Sequence, residues 1–205
     1  KKGRLEIIKE KKNWITFVGK LNNAKGYDIF AKTIKLILNK FPNWRAKIIG
    51  DEKREKIKVN HKNVDLLGFL NHEKVLNIFK KTSIAVACSR WDEPFGRTSL
   101  EASANGCAVI ITNKGGLPET VTDAKIIQNL SEKNLFKEID LLIKNAKLRK
   151  QLQVRSISNF YLTHEFISKK IDKYRSEKLF FNKSFFKKNK LKSLRILHVT
   201  NFNER

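Results

Sequence analysis

Ile84-Ala-Val-Ala-Cys-Ser-Arg-Trp-Asp-Glu93-Pro-Phe-Gly96-Arg-Thr-Ser-Leu-Glu101-Ala-Ser-Ala-Asn-Gly106-Cys-Ala-Val109-Ile-Ile-Thr112 contains a complete strand, loop, helix and second strand. Ile84–Ala87 and Val109–Thr112 are apolar runs of strand length, and neither has the polar alternation of a half-solvated strand. Glu101–Asn105 reads as a helix closed by Gly106, the residue that most readily adopts the left-handed conformation beyond a helix end. A strand that returns through a helix to a second buried strand builds a parallel sheet.

The same alternation extends in both directions. Further strands are expected at Ile15–Val18, Ala46–Ile49, Val64–Leu67 and Lys125–Ile127. Between them, Tyr27–Asn39 places Phe30, Ile34, Ile37 and Leu38 on one helical face, and His72–Lys81 does so with Val75, Leu76 and Phe79. Pro118 fits the first turn of a short helix reaching Val121. Three more helical patterns follow at roughly 131–145, 147–158 and 163–178. The expected fold class is therefore α/β, a Rossmann-like doubly wound parallel sheet with extra C-terminal helices. Residues 1–12 read as a basic linker, 13–178 as the Rossmann-like domain and 179–193 as a linker or weakly amphipathic segment. Residues 194–205 read as the first strand of a further domain.

The chain of 205 residues carries a formal charge of +24. Such a charge raises nucleic acid or an anionic membrane as partner. It is spread unevenly: residues 1–12 hold six Lys/Arg, and 178–195 hold seven with no acid. Lysine is scattered through most of the expected helices alongside abundant Asn and Ile, so a coding bias toward A+T-rich codons accounts for much of it. A nucleic-acid-binding module is thus disfavoured but stays open. Association of the Phe/Lys-rich 179–192 segment with an anionic membrane surface stays open too. No apolar run approaches the roughly 18–20 residues that span a bilayer. Cys88 and Cys107 sit in apolar segments, as reduced core thiols of a cytoplasmic protein would. The four histidines have no metal-ligand spacing, and neither G-x-G-x-x-G, G-x-x-x-x-G-K-[ST] nor G-x-S-x-G occurs. The expectation is a site without metal or cofactor.

In an open parallel sheet, ligands bind beyond the carboxyl ends of the strands. The unusual residues of this sequence fall there. Gly19-Lys20-Leu-Asn-Asn-Ala-Lys25-Gly26 follows the first expected strand, Gly50-Asp51 the second, Gly68-Phe69-Leu70 the third, Ser89–Glu101 the fourth and Asn113–Glu119 the fifth. Gly96 opens a helix whose first amides, at Arg97, Thr98 and Ser99, can hold an anion. Lys20 and Lys25 flank a loop that could neutralise a diphosphate. Glu93 and Glu101 suit polyol recognition beside a phosphate, although an isolated pair of this kind could equally be a solvated loop acid and a favourable helix start.

Phe17-Val-Gly-Lys-Leu-Asn-Asn-Ala-Lys-Gly26, Glu93-Pro-Phe-Gly-Arg-Thr-Ser-Leu-Glu-Ala102 and Gly115-Gly-Leu-Pro-Glu119 together resemble the C-terminal domain of retaining GT-B glycosyltransferases of the glycogen-synthase-like superfamily, the group 1 transferases, over about residues 13–178. The resemblance implies half of a GT-B fold that binds a nucleoside-diphosphate sugar for metal-independent, retaining transfer. The acceptor, of unknown identity, would be held by an N-terminal partner domain absent from this chain, so the chain alone would be catalytically incomplete. It implies contacts from Glu93 to donor-sugar hydroxyls, from Gly96 and the amides after it to sugar or diphosphate, and from Glu101 to the ribose. Lys20 and Lys25 would contact the diphosphate, which with Glu93 makes them the catalytic candidates. Backbone near Phe69 would contact the base, and Gly19, Gly26, Pro94, Phe95, Arg97 and Thr98 complete the implied binding set. Lys20 stands where the family usually has arginine, so the charge is kept and the bidentate fork lost. The implied protein is of bacterial type and cytoplasmic or peripheral at the inner face of the membrane. A nucleotide-sugar epimerase or a phosphorylase of the same fold are the enzyme alternatives.

Overall fold

The computed structural model describes residues 6–189. Six strands, β1 (Lys12–Val18), β2 (Arg45–Ile49), β3 (Val64–Leu66), β4 (Thr82–Ala87), β5 (Ala108–Thr112) and β6 (Ala124–Ile127), form one wholly parallel sheet in the order β3-β2-β1-β4-β5-β6. The helices are α1 (Tyr27–Lys40), α2 (His72–Lys81), α3 (Arg97–Ala104), α4 (Glu132–Lys144), α5 (Ala146–Ser158) and α6 (His164–Asn189). The expected doubly wound α/β architecture is the one observed.

Strand side chains alternate between two cores. On one face Ile15, Phe17, Ile48, Ile84, Val86 and Ile110 pack with Phe30, Ile34 and Ile37 of α1 and Leu135, Ile139 and Leu142 of α4. On the other, Ile49, Ala85, Val109 and Ile111 pack with Val75 and Phe79 of α2 and Ala102 of α3. Burial on both faces explains why β4 and β5 read as continuous apolar runs.

Helix α3 starts at Arg97, as expected of a helix opened by Gly96 and a turn before the narrower span Glu101–Asn105; Gly96 ends the loop there in the left-handed conformation (φ 85°). Two sequence expectations are corrected. The segment expected as a basic linker is part of the fold: Ile7–Glu10 form a 3₁₀ turn, and the Lys11 ammonium donates to the carbonyls of Phe79 (2.9 Å) and Asn105 (2.6 Å). Those carbonyls close α2 and α3, where helix dipoles favour a cation. The described residues divide into two compact units after Phe160, so the boundary expected at 178 falls inside α6. That helix runs on through Asn189 because 179–189 contains no Gly or Pro to stop it. Leu194–Asn203, the expected extra strand, lies outside the described residues. No described helix is long and apolar enough to cross a membrane.

Phe30 is fully buried, its ring centroid 5.1 Å from that of Phe17. Truncation to alanine removes one of the ring contacts, beside that of Tyr27, that join α1 to the central strand. Phe30→Ala is expected to destabilise the chain by about 3–5 kcal/mol in urea unfolding. A loss below about 1 kcal/mol would contradict this packing.

Candidate functional site

The chain crosses the sheet between β3 and β4, so β1 and β4, distant in sequence, lie side by side: Ile15 pairs with Ile84 and Phe17 with Val86. At this switch point the loops after the two strands leave in opposite directions and open a crevice. A cavity of about 210 Å³ occupies it, lined among others by Gly19, Lys25, Cys88, Glu93, Gly96 and Thr98.

The first loop is held open by side-chain bonds to the loop after β2. Asn22 accepts from the Lys25 amide (3.1 Å) and donates to Glu52 Oε2 (3.1 Å), while the Asn23 amide donates to Glu55 (2.8 Å). Glu52 also accepts from the Arg54 backbone amide and side chain, and these bonds together with that from Asn22 hold its carboxyl down at about 2. Gly26 ends the loop with φ 70°, and a Cβ there would overlap the Cys88 carbonyl oxygen. Only glycine allows α1 to begin so close to β4.

The fourth loop is clamped onto the first. The amides of Arg90 (2.9 Å) and Trp91 (3.1 Å) donate to the Ala24 carbonyl, and so does Ser89 Oγ (3.1 Å). The Arg90 guanidinium takes Asp28 in a fork at 2.6 and 2.7 Å and reaches the Asn23 carbonyl at 2.6 Å. Burial would push the Asp28 carboxyl up, but the Arg90 fork outweighs it and holds the group below its ordinary range. Burial pushes the Cys88 thiol at the cavity floor up to about 12, so it is inert as a nucleophile at neutral pH. Gly115 seals the other flank: its φ is 51°, a Cβ would overlap Glu93 backbone, and the next amide, of Gly116, donates to the Glu93 carbonyl at 2.6 Å.

Lys25 Nζ and Glu93 Oε1 form an ion pair within this frame. Helix α3 begins at Gly96 with no side chain capping it. Its first-turn amides therefore remain available to an anion beside the ion pair. Ser99 fixes this helix end by bonding the Gly96 carbonyl (2.7 Å) and Thr120 Oγ1 (2.7 Å). Among the described residues no group of three or more His, Cys, Asp or Glu side chains could hold a metal ion.

The structure thus brings Gly19, Lys25, Glu93, Gly96, Arg97 and Thr98 to one cavity, with Gly26 behind its wall. Lys20 is exposed and lines a separate hollow with Asp51, Glu52, Lys53 and Arg54. Pro94 and Phe95 are exposed, and Phe69 is 79% exposed in the loop after β3. Glu101 is not among the cavity-lining residues. Its Oε1 accepts from Arg97 Nε at 2.7 Å and from His72 Nε2 at 3.0 Å. Sequence reasoning missed His72, Arg90 and Asn22. Their partners, Glu101 on α3, Asp28 on α1 and Glu52 in the loop after β2, are distant in sequence, and only the strand order brings them together.

Comparison with known proteins gives a consistent picture. The family model described as "Glycosyl transferases group 1" matches residues 4–157. An uncharacterized glycosyltransferase of Methanocaldococcus jannaschii is 37% identical over 150 residues, covering 68% of this chain and 41% of that protein. The C-terminal domain of a glycosyl transferase group 1 family protein from Francisella tularensis has the same fold, with a TM-score of 0.63 and 23% identity over 76% of this chain and 88% of that one. The Anabaena protein HepE in complex with UDP-glucose matches with a TM-score of 0.62 and 18% identity, over 77% and 46% of the two chains. The chain spans about two fifths of the length of the first curated relatives it matches.

Because the Glu52 carboxyl is held far below its ordinary value of 4.5, the ionised form stabilises the fold. That contribution is complete above about pH 4.5 and is lost as the pH falls toward 2. Thermal melts of wild type and Glu52→Gln between pH 6 and 2 are expected to converge across this window. A difference that stays constant to pH 2 would contradict the Asn22–Glu52 anchor.

Proposed function

The chain belongs to the glycosyl transferases group 1 family, and on that premise we propose that it is the donor-binding domain of a glycosyltransferase, holding a nucleoside-diphosphate sugar in the β1/β4 crevice. The observation that carries the reading is the meeting of the Lys25–Glu93 pair with the uncapped start of α3. A pyrophosphate needs a cation and aimed amide donors, and both are present at this one place.

In the proposed reaction the anomeric carbon becomes oxocarbenium-like while charge grows on the departing diphosphate. Lys25 and the amides of Arg97 and Thr98 stabilise that charge without a metal, and because they are fixed before binding they need little reorganisation. Glu93 accepts hydrogen bonds from sugar hydroxyls and keeps Lys25 in place. Lys20, on the same loop but turned to its own hollow, adds positive potential at the entrance. Anomeric configuration is retained, with a leaving phosphate oxygen assisting deprotonation of the acceptor. The acceptor is held by a domain outside this chain, whose closure excludes water and orients the hydroxyl. The complexes of HepE with UDP-glucose and with UDP support this choice of ligand class.

Calorimetry with UDP, GDP, ADP and their sugar conjugates, without added metal, tests the reading. At least one diphosphate is expected to bind at micromolar to millimolar strength. Lys25→Ala should weaken it by about 1.5–3 kcal/mol, the worth of a charge-assisted bond. Glu93→Ala should weaken the sugar conjugate more than the bare diphosphate, because it removes the sugar contact while freeing Lys25. Absence of heat with every nucleotide would overturn the assignment.

A further inference from the structure

Helix α2 starts at the loop after β3 with Asn71 as its cap, the side chain accepting from the Lys74 amide at 3.0 Å. This cap fixes the first turn and therefore His72, its first residue. The imidazole reaches across to α3 and meets Glu101 at 3.0 Å through Nε2. Arg97, one turn before Glu101, donates to the same oxygen at 2.7 Å. Two donors from two separate elements thus converge on Oε1, while Oε2 has no protein partner among the described residues. The Glu101 side chain is only 17% exposed, so the carboxylate is held from both sides while one oxygen stays unused. A carboxylate accepts and does not donate, which assigns the proton to His72 Nε2.

We propose that His72 is a positioning residue for the donor site, holding Glu101 so that Oε2 accepts from the ribose hydroxyls of the bound nucleoside diphosphate. The proposal rests on the donor-site reading above. Arg97 alone cannot do the same. Its exposed side chain and Glu101 sit on one helix and can swing together, whereas His72 ties the carboxylate to a different element. Without His72 the carboxylate keeps its charge and loses its fixed direction, so the effect falls on recognition of the ribose diol rather than on the phosphates.

The test uses the 205-residue chain titrated with UDP, GDP and ADP, then with the 2′,3′-dideoxy form of the nucleotide that binds most tightly. In wild type the ribose form is expected to bind more tightly than the dideoxy form. His72→Ala should weaken the ribose form about 3- to 10-fold, as loss of one hydrogen bond predicts, and shift the dideoxy form less than about 2-fold. His72→Gln, whose amide can donate from nearly the same position, should restore the ribose preference. A merely structural role would weaken both ligands equally and gain nothing from glutamine. Equal losses, no loss, or a wild type indifferent to the ribose hydroxyls would overturn the positioning role. A wild type that binds no nucleoside diphosphate would overturn the donor-site reading and this inference with it.

Discussion

The approach of Gly26 to the Cys88 carbonyl sets the separation of the two loops that make the crevice. The next residues on each side, Lys25 and Ser89, are already part of the site or its frame. A side chain at position 26 would have to displace either the start of α1 or the end of β4, and both are fixed by the apolar core beneath them. The clamp from Arg90 to Asp28 and the backbone bonds to Ala24 depend on that separation. So does the Lys25–Glu93 pair. The site is therefore a consequence of packing at the switch point, where a parallel sheet lacks the hydrogen-bonded continuity of sequential loops.

The electrostatics follow the same logic. A chain of formal charge +24 attracts anions everywhere, yet attraction without geometry selects nothing. Several lysines are matched by acids on neighbouring elements, as Lys40 is by Asp140 and Lys47 by Asp65. These partly exposed pairs take charge out of competition with the crevice. Lys25 differs in being paired inside a cavity beside the uncapped start of a helix. A diphosphate entering there meets a cation and amides that are already in place.

The sheet was legible in the sequence because burial on both faces leaves unbroken apolar runs such as Ala108–Thr112, and the turn glycines punctuate them. The loops carrying Glu93, Gly96 and Lys25 could be placed at one edge for the same reason. What could not be read is which loop side chains touch. Lys20 and Lys25 look equivalent in sequence, yet the turn that Asn22 builds against Glu52 sends one to the cavity and leaves the other outside. The His72–Glu101 contact spans 29 residues and two helices, and no periodicity reports it. The start of α3 was legible from Gly96, which ends the loop by its left-handed conformation and not by a capping side chain. The length of α6 was underestimated because its Lys- and Phe-rich end lacks amphipathic regularity while containing nothing that breaks a helix.

Backbone amide chemical shifts recorded during titration with UDP-glucose report where the ligand sits as well as whether it binds. Saturable shifts are expected at Gly19, Lys25, Arg97 and Thr98, spreading to Cys88 beneath them and leaving the basic face of α5 at Lys147, Lys150 and Arg155 unmoved. Shifts centred on that α5 face, with the crevice amides silent at saturation, would contradict a donor site in the crevice.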